Sequence, residues 1–167
     1  MAQGTGDPLR PRPTDNAVFG PASGGSAEPT YGGALSFMRR RYSRDLAGVD
    51  VAILGVPFDA AVSNRTGSRF GPQAIRRASA ILDGDPQYPF HMDPFEVLNV
   101  VDWGDVSWDY QRPWLAHDCI HAQASDILAS GAKLFSLGGD HSVTYPLLVA
   151  HAEKHGPLAI VHFDAHQ

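Results

Sequence analysis

Three side chains near the end of the chain have the types and spacing to hold a metal ion: His141, Asp164 and His166. Successive side chains of an extended chain point to opposite sides, so Asp164 and His166, two apart, project the same way. They follow an apolar run at residues 158–163, set off by the breaker Gly156-Pro157. Such a run reads as a strand buried on both faces of a parallel sheet, with the two polar groups at its carboxyl end. That edge is where open α/β sheets bind ligands. A second apolar run, residues 133–137, stops at Gly138-Gly139-Asp140-His141-Ser142. Its two glycines allow a sharp turn that brings His141 to the same edge. One carboxylate and two imidazoles from neighbouring strand ends suit a borderline transition metal such as Mn, Fe, Ni or Zn. Asp140 is expected to cap the next helix and, from outside the ligand set, to orient the His141 ring.

Other groups invite chemistry and are weighed against plainer roles. Asp102 and Asp105 end another apolar run, and paired carboxylates can serve a metal or an acid/base reaction; a structural role is the alternative. His117 and His121 stand at i and i+4 with Asp118 between them, superficially like the zinc-protease pattern His-Glu-x-x-His. Aspartate is a short arm for that task, so half-buried helix histidines are the better reading, as for His151 and His155. His162 shares the parity of Asp164 but lies about 6.6 Å deeper along a strand, and is read as a hydrogen-bonded core histidine. Asn64, Arg65 and Thr66 sit in a polar loop on the active edge, where loops carry function. Substrate contact is one reading; the other is a purely structural loop, shaped by Gly67 and Gly71 and tied by Arg69 to a carboxylate.

These groups need a scaffold of alternating strands and helices. Strands are expected at residues 49–56, 97–101, 133–137 and 158–163, ended by Pro57, the Asp102-Trp103-Gly104-Asp105 turn, the glycine pair and Asp164. Apolar residues at helical spacing predict a helix over residues 34–46, with Arg39, Arg40, Arg41 and Arg44 largely outside. A second starts at Pro72, stops at Gly84, and turns Ile75, Ala78, Ser79 and Leu82 inward. Residues 112–130 and 143–154 complete the set, the former buried along Ile120, Ala124, Ile127 and Leu128. The alternation calls for a parallel sheet with helices on both faces. Residues 1–30, rich in Pro and Gly, are expected to be a flexible arm.

Composition narrows the class. A length of 167 residues with 43% hydrophobic content allows one domain with a core. No run approaches a membrane span and the start has no signal-peptide core, so a soluble cytoplasmic protein is the expectation. The single cysteine, Cys119, excludes an internal disulfide framework and a thiolate cluster. A formal charge of -5 provides no basic footprint for nucleic acid and mildly favours cationic ligands.

Gly138-Gly139-Asp140-His141-Ser142 and Asp164-Ala165-His166 resemble the first two metal signatures of the ureohydrolases, the family of arginases and agmatinases. Gly55-Val56-Pro57-Phe58-Asp59 also matches. So does Arg65-Thr66-Gly67-Ser68-Arg69-Phe70-Gly71-Pro72-Gln73-Ala74-Ile75-Arg76, which looks more like agmatinases and their guanidino-acid relatives than arginases. The matches run in family order from about Tyr31 to the last residue. The resemblance implies a three-layer α/β/α arginase-like fold with a parallel sheet, its N-terminal half present. It also implies two Mn ions and hydrolysis of a guanidino group to urea and an amine, agmatine giving putrescine in polyamine metabolism. A guanidino acid or formimino substrate is the runner-up, and a noncatalytic truncated relative or a zinc-dependent deacetylase on a similar sheet are further alternatives. By resemblance His141 binds the first ion, Asp164 bridges both and acts through the hydroxide they share, and His166 binds the second. Asp102-Trp103-Gly104-Asp105 matches a segment that supports loops. The implied substrate is a small guanidino cation, with no nucleic acid or membrane partner, and the implied assembly a homo-oligomer, trimer or hexamer. The family's second signature continues to another aspartate past His166, and an Asp-rich signature comes later. Residues 31–167 are therefore expected to be the first part of a single domain, cut within the second metal motif and inactive alone.

Overall fold

Val51, Ala52, Ile53 and Leu54 are apolar without a break, as a strand covered on both faces must be. In the computed structural model, which describes residues 9, 30–82, 86 and 88–165, they form β2 (Val51–Gly55). With β1 (Arg41–Tyr42), β3 (Val100–Asp105) and β4 (Lys133–Leu137) it makes a sheet of order β1-β3-β2-β4, every pairing parallel. The two-residue period of a strand sorts the side chains onto two faces. Ala52, Leu54, Val101 and Trp103 bury one face against Ile120, Ala124, Ile127 and Leu128 of α2 (Ala116–Ala129), with Ala150 of α3 (Thr144–His155) in the same core. Ile53, Val100 and Leu137 turn to the other face with Phe95, where α1 (Gly71–Ser79) lies against β4 and a 3₁₀ turn, Phe37–Arg39. Helices on both faces of a parallel sheet make the three-layer α/β arrangement expected of the alternation.

Four expectations are corrected. Residues 158–163 are not in the sheet: they carry no strand pairing, and Ile160, Val161 and Phe163 are exposed. An apolar run becomes a buried strand only where a neighbouring strand and a covering layer meet it, and β4 pairs on one side alone among the described residues. Residues 34–46 form no amphipathic helix. Met38 and Arg39 take left-handed backbone angles, φ 47° and 57°, which end a right-handed helix, and the chain passes into β1. Arg40, expected outside, is buried with its guanidinium 3.9 Å over the Phe95 ring, a cation–π contact. On α1 the inward residues are Pro72, Arg76 and Ser79, while Ile75 and Leu82 are exposed. The third strand lies further on than expected, since Pro94–Glu96 forms a 3₁₀ turn capped by Asp93.

That shift takes Asp102 and Asp105 into the strand, where three apart they would face opposite ways. The pairing of β3 with β2 slips at Trp103, with Ile53 opposite Asp102 and Leu54 opposite Gly104. An extra residue resets the parity of the strand beyond it, and both carboxylates meet Arg76. Its Nε and Nη2 donate to Asp102 at 2.7 and 2.9 Å, its Nη1 to Asp105 at 2.6 Å. Burial alone would lower the arginine's pKa, but the two carboxylates raise it above its ordinary value. The structural reading of this pair holds. α2 ends at Gly131, φ 92°, a conformation glycine adopts without strain. Among the described residues no helix is long and apolar enough to cross a membrane. The expected arm lies outside the described residues apart from Leu9 and Thr30. Leu9 packs on the main core, and its carbonyl accepts from Gln123 Nε2 at 3.3 Å.

Candidate metal centre

β4 delivers the chain to Gly138 and Gly139, neither at a positive φ, and what Gly139 provides is room rather than an unusual backbone angle. A Cβ on Gly139 would lie 2.0 Å from the Phe58 carbonyl oxygen and 2.7 Å from that of Val56, and one on Gly71 would lie 2.7 Å from the Gly138 oxygen. The segment after β2 therefore packs backbone to backbone on the turn before His141. Asp140 fastens the two together. Its N–H donates to the Phe58 carbonyl at 2.7 Å, and its carboxylate accepts the Ala61 N–H at 2.8 Å and the Ser142 N–H at 2.9 Å. The last contact caps the 3₁₀ turn His141–Val143, which leads into α3. Ser142 Oγ also donates to Asp140, at 2.5 Å, and stands 3.0 Å from His117 Nε2. Asp140 thus positions His141 through the backbone of the turn.

Opposite the turn comes Asp164. Its Oδ2 lies 3.6 Å from His141 Nδ1 and 3.6 Å from His162 Nε2, and the two imidazole rings are 5.1 Å apart. One ligand atom from each residue falls within 4.8 Å of the others, making this the group of three His/Cys/Asp/Glu side chains able to share an ion among the described residues. Two of its members were expected. His166 lies outside the described residues. His162 corrects its sequence reading: its side chain is 55% exposed, because residues 158–163 are not covered, and its parity with Asp164 brings it into the cluster. That parity was visible in the sequence; its consequence was masked by the assumption of a buried strand.

The loop after β2 is built around an aspartate that sequence reasoning left without a role. Asp59 is buried; its Oδ1 accepts from Arg69 Nε at 2.7 Å, and its Oδ2 from the N–H groups of Gly67 at 2.7 Å and Arg69 at 3.3 Å. The Arg69 hydrogen bond holds its pKa down at about 2, against the opposing effect of burial. Arg69 does tie the loop to a carboxylate, as the structural reading proposed. Asn64, Arg65 and Thr66 are exposed on this clamped loop. The clue to Asp59 was the arginine ten residues on, a pairing with no periodic signature. His117 and His121 part company: His121 Nε2 lies 2.8 Å from Glu153 Oε2, while His117 faces Ser142, so they form no ligand pair. On α3, burial and the neighbouring His155 lower the pKa of His151, and the two rings stack 5.8 Å apart.

Comparison with known proteins places the chain in a family. Residues 49–167 match the model of the Arginase family. An agmatinase of Chromobacterium violaceum is 59% identical over 144 residues, covering 86% of this chain and 45% of that protein. The crystal structure of a hypothetical agmatinase from Burkholderia thailandensis superposes with a TM-score of 0.83 at 51% identity, over 87% of this chain and 47% of the other. The proclavaminate amidino hydrolase of Streptomyces clavuligerus superposes with a TM-score of 0.73 at 38% identity, over 83% and 46%. The chain spans about half the length of these relatives.

Proposed function

The chain belongs to the arginase family, and from that premise we propose that its protein hydrolyses the guanidino group of agmatine to urea and putrescine, with manganese as the working metal. The observation that carries this reading is the meeting of His141 and Asp164 at the carboxyl edge of the sheet, in a chain 59% identical to an agmatinase. The donor set fits the group: imidazole nitrogen and carboxylate oxygen, with no thiolate, suit a divalent ion of manganese type. What bound ions supply is Lewis acidity, giving ionised water at neutral pH and positive charge opposite the developing tetrahedral carbon. A guanidinium carbon is a poor electrophile, so both are required.

The chain's own residues do the positioning. Asp164 places a negative charge between two imidazoles. The Gly138-Gly139 turn and Asp140 fix His141, whose half-exposed ring has its Nδ1 3.6 Å from Asp164 Oδ2. His166 is proposed for a second ion, and the remaining carboxylates for the part of the relatives' length beyond this match. The loop clamped by Asp59 and Arg69 then offers Asn64, Arg65 and Thr66 to the substrate. Arg65 also supports a second reading: an exposed guanidinium on this loop suits a guanidino acid, whose carboxylate it would pair, better than a dication such as agmatine.

The test is urea release by the protein at its full encoded length, from agmatine, arginine, 4-guanidinobutyrate and 3-guanidinopropionate, with and without added Mn2+. Turnover of agmatine that depends on Mn2+ is expected. Preference for the guanidino acids, reduced by Arg65→Ala, would favour the second reading, and no urea from any of them would overturn both.

A further inference from the structure

We propose that Arg41 and Trp103 form an oxyanion site at the edge of the sheet occupied by β1, the far end of the strand order from β4. A buried N–H needs an acceptor. Two such groups have none among the described residues, Arg41 Nε and Trp103 Nε1, and both are sealed from solvent. Trp103 is 7% exposed and Arg41 is half-buried. The register brings the two side chains together. Arg41 lies opposite Val101 in the parallel pair of β1 and β3, and Val101 and Trp103 turn to the same face of the sheet. Strand spacing and rise put the Cα atoms of Arg41 and Trp103 about 8 Å apart, a diagonal that long side chains bridge.

Both groups donate and neither accepts. Arg44 adds a second guanidinium, whose carbon stands 3.7 Å over the Trp103 ring and whose Nη2 donates to the neutral Asp105 carbonyl at 2.8 Å. The carboxylates close by in sequence are committed elsewhere, Asp102 and Asp105 to Arg76 and Asp45 to the Ala47 N–H. Among the described residues Arg41 has no ion-pair partner. Water satisfies an N–H but leaves the guanidinium uncompensated, and an uncompensated charge withdrawn from solvent is costly. What completes the set is an anion with at least two acceptor oxygens, phosphate or carboxylate, to which a planar guanidinium is matched. Such an anion is either free in solution or an Asp or Glu of a second copy of the chain seated on the β1 edge, which pairs with no further strand among the described residues. The expectation that Arg39, Arg40, Arg41 and Arg44 lie outside hid this site: none of the four is exposed.

The experiment measures phosphate affinity by calorimetry, the thermal midpoint with and without phosphate, and mass by light scattering, on the protein at its full encoded length. Chloride at equal ionic strength is the blank. Arg41→Gln, Arg41→Lys and Trp103→Phe are compared with the parent and with Arg77→Gln, at an exposed arginine of α1, circular dichroism confirming that each is folded. Phosphate is expected to bind the parent and raise its midpoint. Binding should be at least about tenfold weaker in Arg41→Gln and Trp103→Phe, intermediate in Arg41→Lys, which keeps the charge and loses the fork, and unchanged in Arg77→Gln. Where the anion belongs to a second copy, phosphate has no effect while Arg41→Gln and Trp103→Phe lower the mass, and that outcome supports the site with the partner carboxylate as its source. Phosphate binding that survives Arg41→Gln would overturn the inference. So would the absence of any phosphate effect together with an unchanged mass in the variants, whatever their midpoints, because Arg41 would then be a purely structural arginine.

Discussion

Replacing Asp164 by Asn keeps the side chain's shape and removes the charge that faces two imidazoles and, in the proposed enzyme, two dications. Full-length Asp164→Asn should lose urea release by at least about a thousandfold and fall in metal content, measured by elemental analysis. His121→Ala, at a ring that pairs with the exposed Glu153 away from the cluster, should do neither. At Asp59 the deciding variable is pH. Its pKa is held at about 2, below the ordinary 3.8, first by the Arg69 hydrogen bond. A depressed folded-state pKa contributes stability that is present above the unfolded value and lost as pH falls through the folded one. The clamp should therefore stabilise the loop fully above about pH 5 and fade between about pH 4 and 2. In Arg69→Met the Asp59 pKa should move back up, and the stability gap from the parent should close toward pH 2, read by carboxyl NMR titration and by urea unfolding at several pH values. That His141 and Asp164 would come together was legible because metal ligation demands particular residue types after apolar runs, whereas His166 lies outside the described residues. The role of Asp59 was not legible, because an ion pair across a loop obeys no period.

Elements were legible in proportion to how local their causes are. β2, β4, α2 and α3 arise from apolar runs or helical stripes with ordinary stops, and lie within a few residues of expectation. β1 does not, since two residues gain strand geometry only by pairing with β3. Residues 158–163 fail for the opposite reason: their composition suits a buried strand, while pairing and cover must come from elsewhere. The α1 face was misjudged because its organising residue is charged. Arg76 points inward to satisfy Asp102, whose side chain is fully buried, and the slip at Trp103 that adds Asp105 to the pair cannot be read from alternation. Removing one partner of a buried ion pair leaves the other charged and desolvated. Arg76→Met should therefore cost about 3–5 kcal/mol, seen as a lower urea midpoint. Arg69→Met, at an ion pair whose arginine is half-exposed, should shift that midpoint less.

For the whole molecule the question is what 167 residues do by themselves. Two manganese ions ask for about six positions each, and the chain offers His141, His162 and Asp164 among its described residues, with His166 beyond them. Negative charge is scarcer still, since one carboxylate would face two dications and an uncompensated charge is costly. Meanwhile β4 pairs only with β2 among the described residues, and Phe135, Ile160, Val161 and Phe163 are exposed. An unpaired strand edge together with exposed apolar side chains is a template for association. The chain should accordingly bind at most one Mn2+, release no urea from agmatine, and self-associate as its concentration rises. Light scattering after size exclusion measures the last, and Val161→Lys with Phe163→Lys should reduce it without altering Mn2+ affinity, because neither residue offers the ion a ligand. Two tightly bound ions per chain together with turnover would show that the ligand count is wrong and that this half of the family fold carries a complete centre.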